Sequence, residues 1–169
     1  MSTPHLELDL VYHIDPAAFG LQATPDPRIE QAADWIARQF ALQRLYVSIA
    51  IVDDPTIHSL NAQRLGHDWP TDVISFVLDQ HRGAVEGEVI ASLETAARLC
   101  AAAGWSAEDE LLLYVVHGLL HVVGMDDIEP AARQAMRDRE QACLLALGIS
   151  QAAEHVARFE AISHNEAQS

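Results

Sequence analysis

His117 and His121 stand four residues apart in the segment His117-Gly118-Leu119-Leu120-His121-Val122-Val123-Gly124-Met125-Asp126-Asp127. On a helix that spacing puts both side chains on one face, with their Cβ atoms about 6 Å apart. Two imidazole nitrogens so placed can chelate one metal ion. Gly124 is a helix stop, and the carboxylates of Asp126 and Asp127 follow at once. A chain that turns back there brings one of them up as a third ligand. Two histidines and a carboxylate around an ion with an open position outline a hydrolytic zinc site. The competing reading is a hydrogen-bonded pair of core histidines. The surrounding segment is almost wholly apolar, and burying two imidazoles there without partners is costly, so the metal reading is preferred.

Many zinc peptidases carry a glutamate general base directly after the first histidine. Here that slot is Gly118. A metalloprotease, or another metallohydrolase of small substrates, therefore stands as an alternative without its usual base. A mid-helix glycine costs about 1 kcal/mol relative to alanine. Either something approaches the helix backbone beside the metal, or the helix packs closely against a neighbour.

The elements that must position these residues are legible in the hydrophobic pattern. Leu6, Leu8, Leu10, Tyr12 and Ile14 alternate with less apolar residues as a half-exposed strand. Residues 15–25 read as a loop. Asp26-Pro27 caps an amphipathic helix through Ile29, Ala32, Ala33, Ile36 and Phe40, to about Leu42. Leu45 to Val52 is a central strand. Asp54-Pro55 repeats the cap-plus-proline signal for a helix to about Leu65, stopped by Gly66. Val73 to Leu78 is a third strand, Asp79 to Gly87 a loop, and Glu88 to Ala91 a fourth strand. Ser92 caps a helix ending near Ala103 and Gly104. Ser106-Ala107-Glu108-Asp109 is a capping-box pattern opening the apolar helix of the two histidines. Pro130 starts a last helix with Ala132, Met136, Cys143 and Leu147 inward, ended by Gly148.

Strands and helices do not alternate regularly, so the predicted class is α+β. The expected architecture is a small mixed sheet of about four strands covered by about five helices, with the histidine helix at its centre. One domain is expected over residues 1–149, followed by a polar tail over 150–169, helical or disordered.

The chain of 169 residues carries 10 arginines and no lysine against 25 acidic residues, a net charge of −15. That balance argues against non-specific nucleic-acid binding, which rests on neutralising phosphates. An RNA would have to meet a local positive patch, the metal, or a protein partner. No apolar run approaches the roughly 20 residues that span a bilayer. The first residues carry neither the basic flank nor the apolar stretch of a signal peptide, so a cytoplasmic protein is expected, with no membrane or DNA partner. Cys100 and Cys143 read as small core residues of a reducing compartment.

Together these segments resemble the YbeY family of bacterial ribosomal-RNA maturation factors. The family's metal motif, His-Gly-x-Leu-His-x-x-Gly-Tyr-Asp-His, is matched at His117, Gly118, Leu120, His121, Gly124 and Asp126. Its upstream block, similar to Leu-Asn-x-x-Tyr-Arg-x-x-Asp-x-Pro-Thr-Asp-Val-Leu-Ser-Phe, is matched at Leu60, Asn61, Asp68, Pro70, Thr71, Asp72, Val73, Ser75 and Phe76. Its Gly-Asp-Ile-x-Ile-Ser strand resembles Gly87 to Ser92.

The resemblance implies a zinc-dependent, single-strand-specific endoribonuclease acting in small-subunit ribosomal-RNA 3′-end maturation and ribosome quality control. The implied partners are ribosomal RNA, the small subunit and a ribosomal protein. Two departures from the family matter. Its third histidine ligand falls on Asp127; a carboxylate is also a good zinc ligand, so His117, His121 and Asp127 are the expected metal ligands. The added negative charge makes the ion a weaker Lewis acid. Asp126 is then the residue that orients a ligand or holds the turn, although it competes with Asp127 for direct ligation. The family's arginine falls on Leu65. Arg64, one position earlier and about 100° round the helix, is the expected replacement, with Arg82 a second candidate for contacting phosphate. The lost arginine and acidic surface also keep open a non-catalytic ribosome-assembly factor with a structural metal.

Overall fold

The computed structural model describes residues 2–22, 25–67, 71–150 and 152. The expected tail falls outside them apart from 150 and Ala152, as do Asp68 and Pro70 of the upstream block. Four strands, β1 (His5–Tyr12), β2 (Arg44–Val52), β3 (Val73–His81) and β4 (Ala84–Ser92), form one sheet in the order β1-β2-β4-β3. The first two pairings are parallel, and β3 runs antiparallel to β4 at the sheet edge. Among the described residues five α-helices accompany it: α1 (Pro27–Gln39), α2 (Asp54–Leu65), α3 (Leu93–Ala103), α4 (Ala107–Val122) and α5 (Pro130–Ala146). This is the α+β class read from the sequence, with a mixed sheet and a central apolar helix.

Period-two alternation decides which side of each strand is buried. Leu45, Val47, Ile49, Ile51, Val85 and Val89 face the main core, where α4 lies across β3 and β4 and touches α1, α3 and α5. On the other face Val52, Ile74 and Ile90 pack with Ile57 of α2 into a smaller cluster. Helix α4 is buried on nearly every side, including Leu112, Leu113, Val115, Val116, Leu119 and Leu120, because it meets the sheet below and three helices around it. Close approach to the sheet is allowed by two glycines. A methyl group on Gly118 would come within 2.7 Å of Val89 Cγ1, and one on Gly87 within 2.9 Å of the Phe76 carbonyl oxygen.

Local details differ from the sequence expectation at three places. The predicted 79–87 loop is mostly strand: β3 and β4 continue to a two-residue turn at Arg82 and Gly83, both at positive φ (36° and 82°). Positive φ at both central residues is the type I′ hairpin turn. The polar run Asp79-Gln80-His81 is strand because β3 is an edge, where exposed side chains are tolerated. Within the predicted 15–25 loop, Pro16–Phe19 forms a short 3-10 helix capped by Asp15. Finally, the N-cap of α2 is Asp53, which accepts the Thr56 amide at 2.9 Å. Asp54 is thereby free to accept from Ser92 Oγ at 2.6 Å, from Thr95 Oγ1, and from Arg98 Nη1 at 2.6 Å, which ties the starts of α2 and α3 together.

Candidate metal centre

The centre begins with how α4 starts and stops. Ser106 caps its N-terminus by accepting the Asp109 amide at 3.1 Å. Asp109 itself pairs with Arg28 Nη1 at 2.6 Å, anchoring α4 to α1. At the other end the Met125 amide donates to the Leu120 carbonyl and the Gly124 amide to the His121 carbonyl, each at 3.0 Å. With Gly124 at φ 104° this is a Schellman ending. It reverses the chain and returns Asp126 and Asp127 towards the helix that carries the histidines.

Asp127 completes a triad there. His117 Nε2 and His121 Nε2 are 3.1 Å apart, and the Asp127 carboxylate lies 3.5 Å from each. Metal–ligand bonds of about 2.0–2.2 Å in tetrahedral geometry separate neighbouring donor atoms by about 3.3 Å. The histidine separation lies close to that value, and one oxygen of Asp127 lies 3.5 Å from each histidine, Oδ2 from His117 and Oδ1 from His121, so the set fits one zinc-sized ion after a small turn of the carboxylate. They are also the group of side chains among the described residues whose ligand atoms cluster tightly enough to hold a metal.

Asp126 takes a different position. Its Oδ1 accepts the amides of Asp127, at 2.7 Å, and Ile128, at 3.2 Å. It shapes the turn that presents Asp127. Arg133, from α5, pins the same loop by donating to the carbonyls of Asp127 and Ile128 at 3.1 and 2.8 Å.

Behind the triad, His117 Nδ1 bonds to Glu140 Oε1 from α5. Burial acts to lower the His117 pKa. The bond and charge of Glu140, helped by Asp72 and Asp127, outweigh it and hold the pKa above the ordinary histidine value. Asp127 is held below the usual carboxylate range, first by its bond to His121, against the effect of burial, with the charges of both histidines helping. Glu140 and Arg133 were not singled out in the sequence. Glu140 falls on the inward face of α5 with Met136 and Cys143, and a charged residue at that phase was the available signal.

In front of the triad a cleft of about 210 Å³ is lined by Leu65, Val73, Ile74, Ser75, His117, Gly118 and His121. The polar strand residue Ser75 is thus part of its wall. Gly118 packs closely against Val73 and Val89, one of its two expected uses, and also lines the cleft. Leu65, at the place of the family's arginine, faces the cleft. Arg64 lies elsewhere: it pairs with Glu88 at 2.9 Å and stacks over the Phe76 ring. Arg82 occupies the hairpin tip. The structure therefore assembles His117, His121 and Asp127, places Asp126 beside them in the turn, and keeps Arg64 apart. A larger cavity of about 310 Å³ includes Tyr12, Asp26, Arg28 and Glu108 in its wall, but the guanidinium of Arg28 is held there by Asp26 and Asp109.

Comparison with known proteins gives the family and the fold. The family model described as endoribonuclease YbeY matches residues 22–148. The endoribonuclease YbeY of Rhodopirellula baltica is 45% identical over 133 residues, covering 78% of this chain and 69% of that protein. That of Chloroherpeton thalassium is 32% identical over 126 residues, covering 75% and 89%. The solution structure of TM1509 from Thermotoga maritima superposes with a TM-score of 0.54 at 19% identity, over 91% of this chain and 92% of that one, and shows the same fold. The protein whose two histidines, Schellman turn and returning aspartate are described above belongs to the endoribonuclease YbeY family.

Proposed function

We propose that this protein is a zinc-dependent, single-strand-specific endoribonuclease that matures ribosomal RNA on the small subunit and serves in ribosome quality control. It works in the cytoplasm as one domain over residues 1–149. The observation that carries the reading is the triad of His117, His121 and Asp127 opening onto the cleft of Leu65, Val73 and Ser75 in a chain of this family.

A divalent ion held there supplies Lewis acidity for a phosphoryl oxygen and lowers the pKa of water. The protein's own part is positioning. Two neutral imidazoles and one carboxylate offset only half the charge of a divalent ion, so the cleft stays attractive to a phosphodiester despite the acidic surface. Ser75 faces the cleft with a hydroxyl that can donate to a phosphate oxygen. Asp126 fixes the turn of Asp127. The net charge of −15 disfavours long-range RNA binding, so specificity comes from docking on the subunit, on RNA already presented by ribosomal protein.

Leu65 in the cleft favours one further reading, a non-catalytic assembly factor whose metal stabilises the fold. The peptidase alternative gains nothing, since no glutamate is among the described residues lining the cleft. Metal analysis combined with cleavage of single-stranded RNA by wild type and His121→Ala separates the readings. Metal-dependent cutting lost in the variant supports the nuclease. Bound metal and ribosome binding without any cutting supports the assembly factor.

A further inference from the structure

Among the described residues two glutamates are buried, Glu110 and Glu140, at 3% and 1% exposure. Both face the same difficulty: a carboxylate removed from water must be compensated by hydrogen bonds or a cation. Glu110 is compensated by the fold itself. Trp105 Nε1 and Tyr114 OH both donate to it. Glu140 is compensated differently, by the ring of His117.

We infer that Glu140 is the positioning residue of the metal centre: it takes Nδ1 of His117 and so commits Nε2 to the ion. The inference rests on the metal reading above. A neutral imidazole carries its proton on one nitrogen and its lone pair on the other, and the partner of one nitrogen decides the role of the other. Glu140 accepts from Nδ1–H on the core side of the ring. Nε2 is then left with its lone pair on the cleft side, 3.1 Å from His121 Nε2 and 3.5 Å from Asp127. Without Glu140 the ring could rotate or change tautomer, and the metal would bear the cost of selecting the right one.

Position in the fold supports the assignment. Met136, Cys143 and Leu144 of α5 are buried around Glu140, so its side chain has little room to choose another partner. The same helix supplies Arg133 to the Asp127 loop. Helix α5 thus supports two of the three ligands, and none of its residues is among the described residues lining the cleft. Carboxylates behind metal-bound histidines typically contribute a factor of 10 to 100 in metal affinity.

The test uses the full chain, stripped of metal and titrated with zinc against a competing chelator. Glu140→Ala should weaken zinc binding by about 10- to 100-fold. Glu140→Gln should weaken it less, because the amide oxygen still accepts from Nδ1–H. Glu110→Gln is the control for removing a buried carboxylate: its melting temperature should fall while zinc affinity stays at the wild-type value. Unchanged zinc affinity in folded Glu140→Ala overturns the inference. Should that variant fail to fold, nitrogen NMR of zinc-loaded wild type decides alone. A proton on Nδ1 of His117 with zinc on Nε2 is the expected result, and zinc on Nδ1 overturns it. Wild type that takes up no zinc at all overturns the metal centre itself, which distinguishes that failure from this one.

Discussion

The side chain of Asp126 accepts the backbone amide of Asp127 at 2.7 Å, so two adjacent aspartates divide the work of one turn. Asp126 is exposed and folds back onto its own loop, while Asp127 faces His117 and His121. The Schellman ending of α4 makes this division necessary, because only one of two successive side chains can point back at the helix.

Metal content should follow that division. Purified wild type should hold about one zinc per chain, and His117→Ala, His121→Ala and Asp127→Ala should each lose most of it. Asp126→Ala should retain metal with weaker affinity, since it loosens the turn and removes no ligand. Elemental analysis checks this. Full metal in Asp127→Ala together with loss in Asp126→Ala would show that the ligand is the other aspartate.

Gly118→Ala should destabilise the protein although alanine is the better helix former. The gain in propensity is about 1 kcal/mol. The added methyl meets Val89 Cγ1 at 2.7 Å and Val73 Cγ2 at 3.1 Å, and overpacking of that kind costs about 1–3 kcal/mol. A net loss of about 1 kcal/mol lowers the melting temperature by about 2–4 °C in a chain of this size. Calorimetry showing an unchanged or higher melting temperature would mean that the helix and sheet yield more easily than their packing indicates.

Zinc should be released on mild acidification. The His117 pKa is raised: burial opposes the shift, while Glu140 leads the groups that produce it. A proton therefore competes with the ion at higher pH than at an ordinary histidine, whose pKa is about 6.5. Zinc affinity measured between pH 8 and 5 should begin to fall above about 6.5. A flat profile across that range would contradict the protonation scheme.

Asp54→Asn should destabilise the fold in a pH-dependent way. Burial raises the Asp54 pKa, but its bonds from Ser92, Thr95 and Arg98 and the charge of Arg98 prevail and lower it. A depressed folded-state pKa gives stability that is present above the unfolded value, near 3.9, and lost as pH falls through the folded value. The variant should lose about 1–3 kcal/mol at neutral pH, and the gap to wild type should close as the pH drops below about 4. Urea unfolding at several pH values checks the sign; a gap that widens in acid would reverse it.

The parts of the fold fixed by local signals were readable from the sequence. His117 and His121 announce a shared helix face through their spacing, and Ser106, Gly104 and Gly124 mark helix ends through their own backbone chemistry. What depended on distant partners was not readable. Local pattern does not tell Asp126 from Asp127; only the family resemblance favoured Asp127, and the turn itself, in which Asp126 accepts the amides of Asp127 and Ile128, gives each its place. Glu140 lies 23 residues from His117, and no periodicity links them. Arg64 and Leu65 differ by one step of helix phase, which decides between Glu88 and the cleft. Arg82-Gly83 makes a hairpin turn whose polar flanks read as loop, because an edge strand carries polar residues for the same reason that a loop does.

The measurement closest to the central claim is cleavage of free ribosomal RNA and of assembled small subunits by zinc-loaded wild type, by metal-stripped wild type and by His121→Ala. Zinc-loaded wild type should cut single-stranded regions, and cut the assembled subunit more selectively than free RNA. The stripped protein and the variant should both be inactive, with zinc restoring only the former. Cleavage by His121→Ala at the wild-type rate, or no cleavage of either substrate by zinc-loaded wild type, would contradict the account.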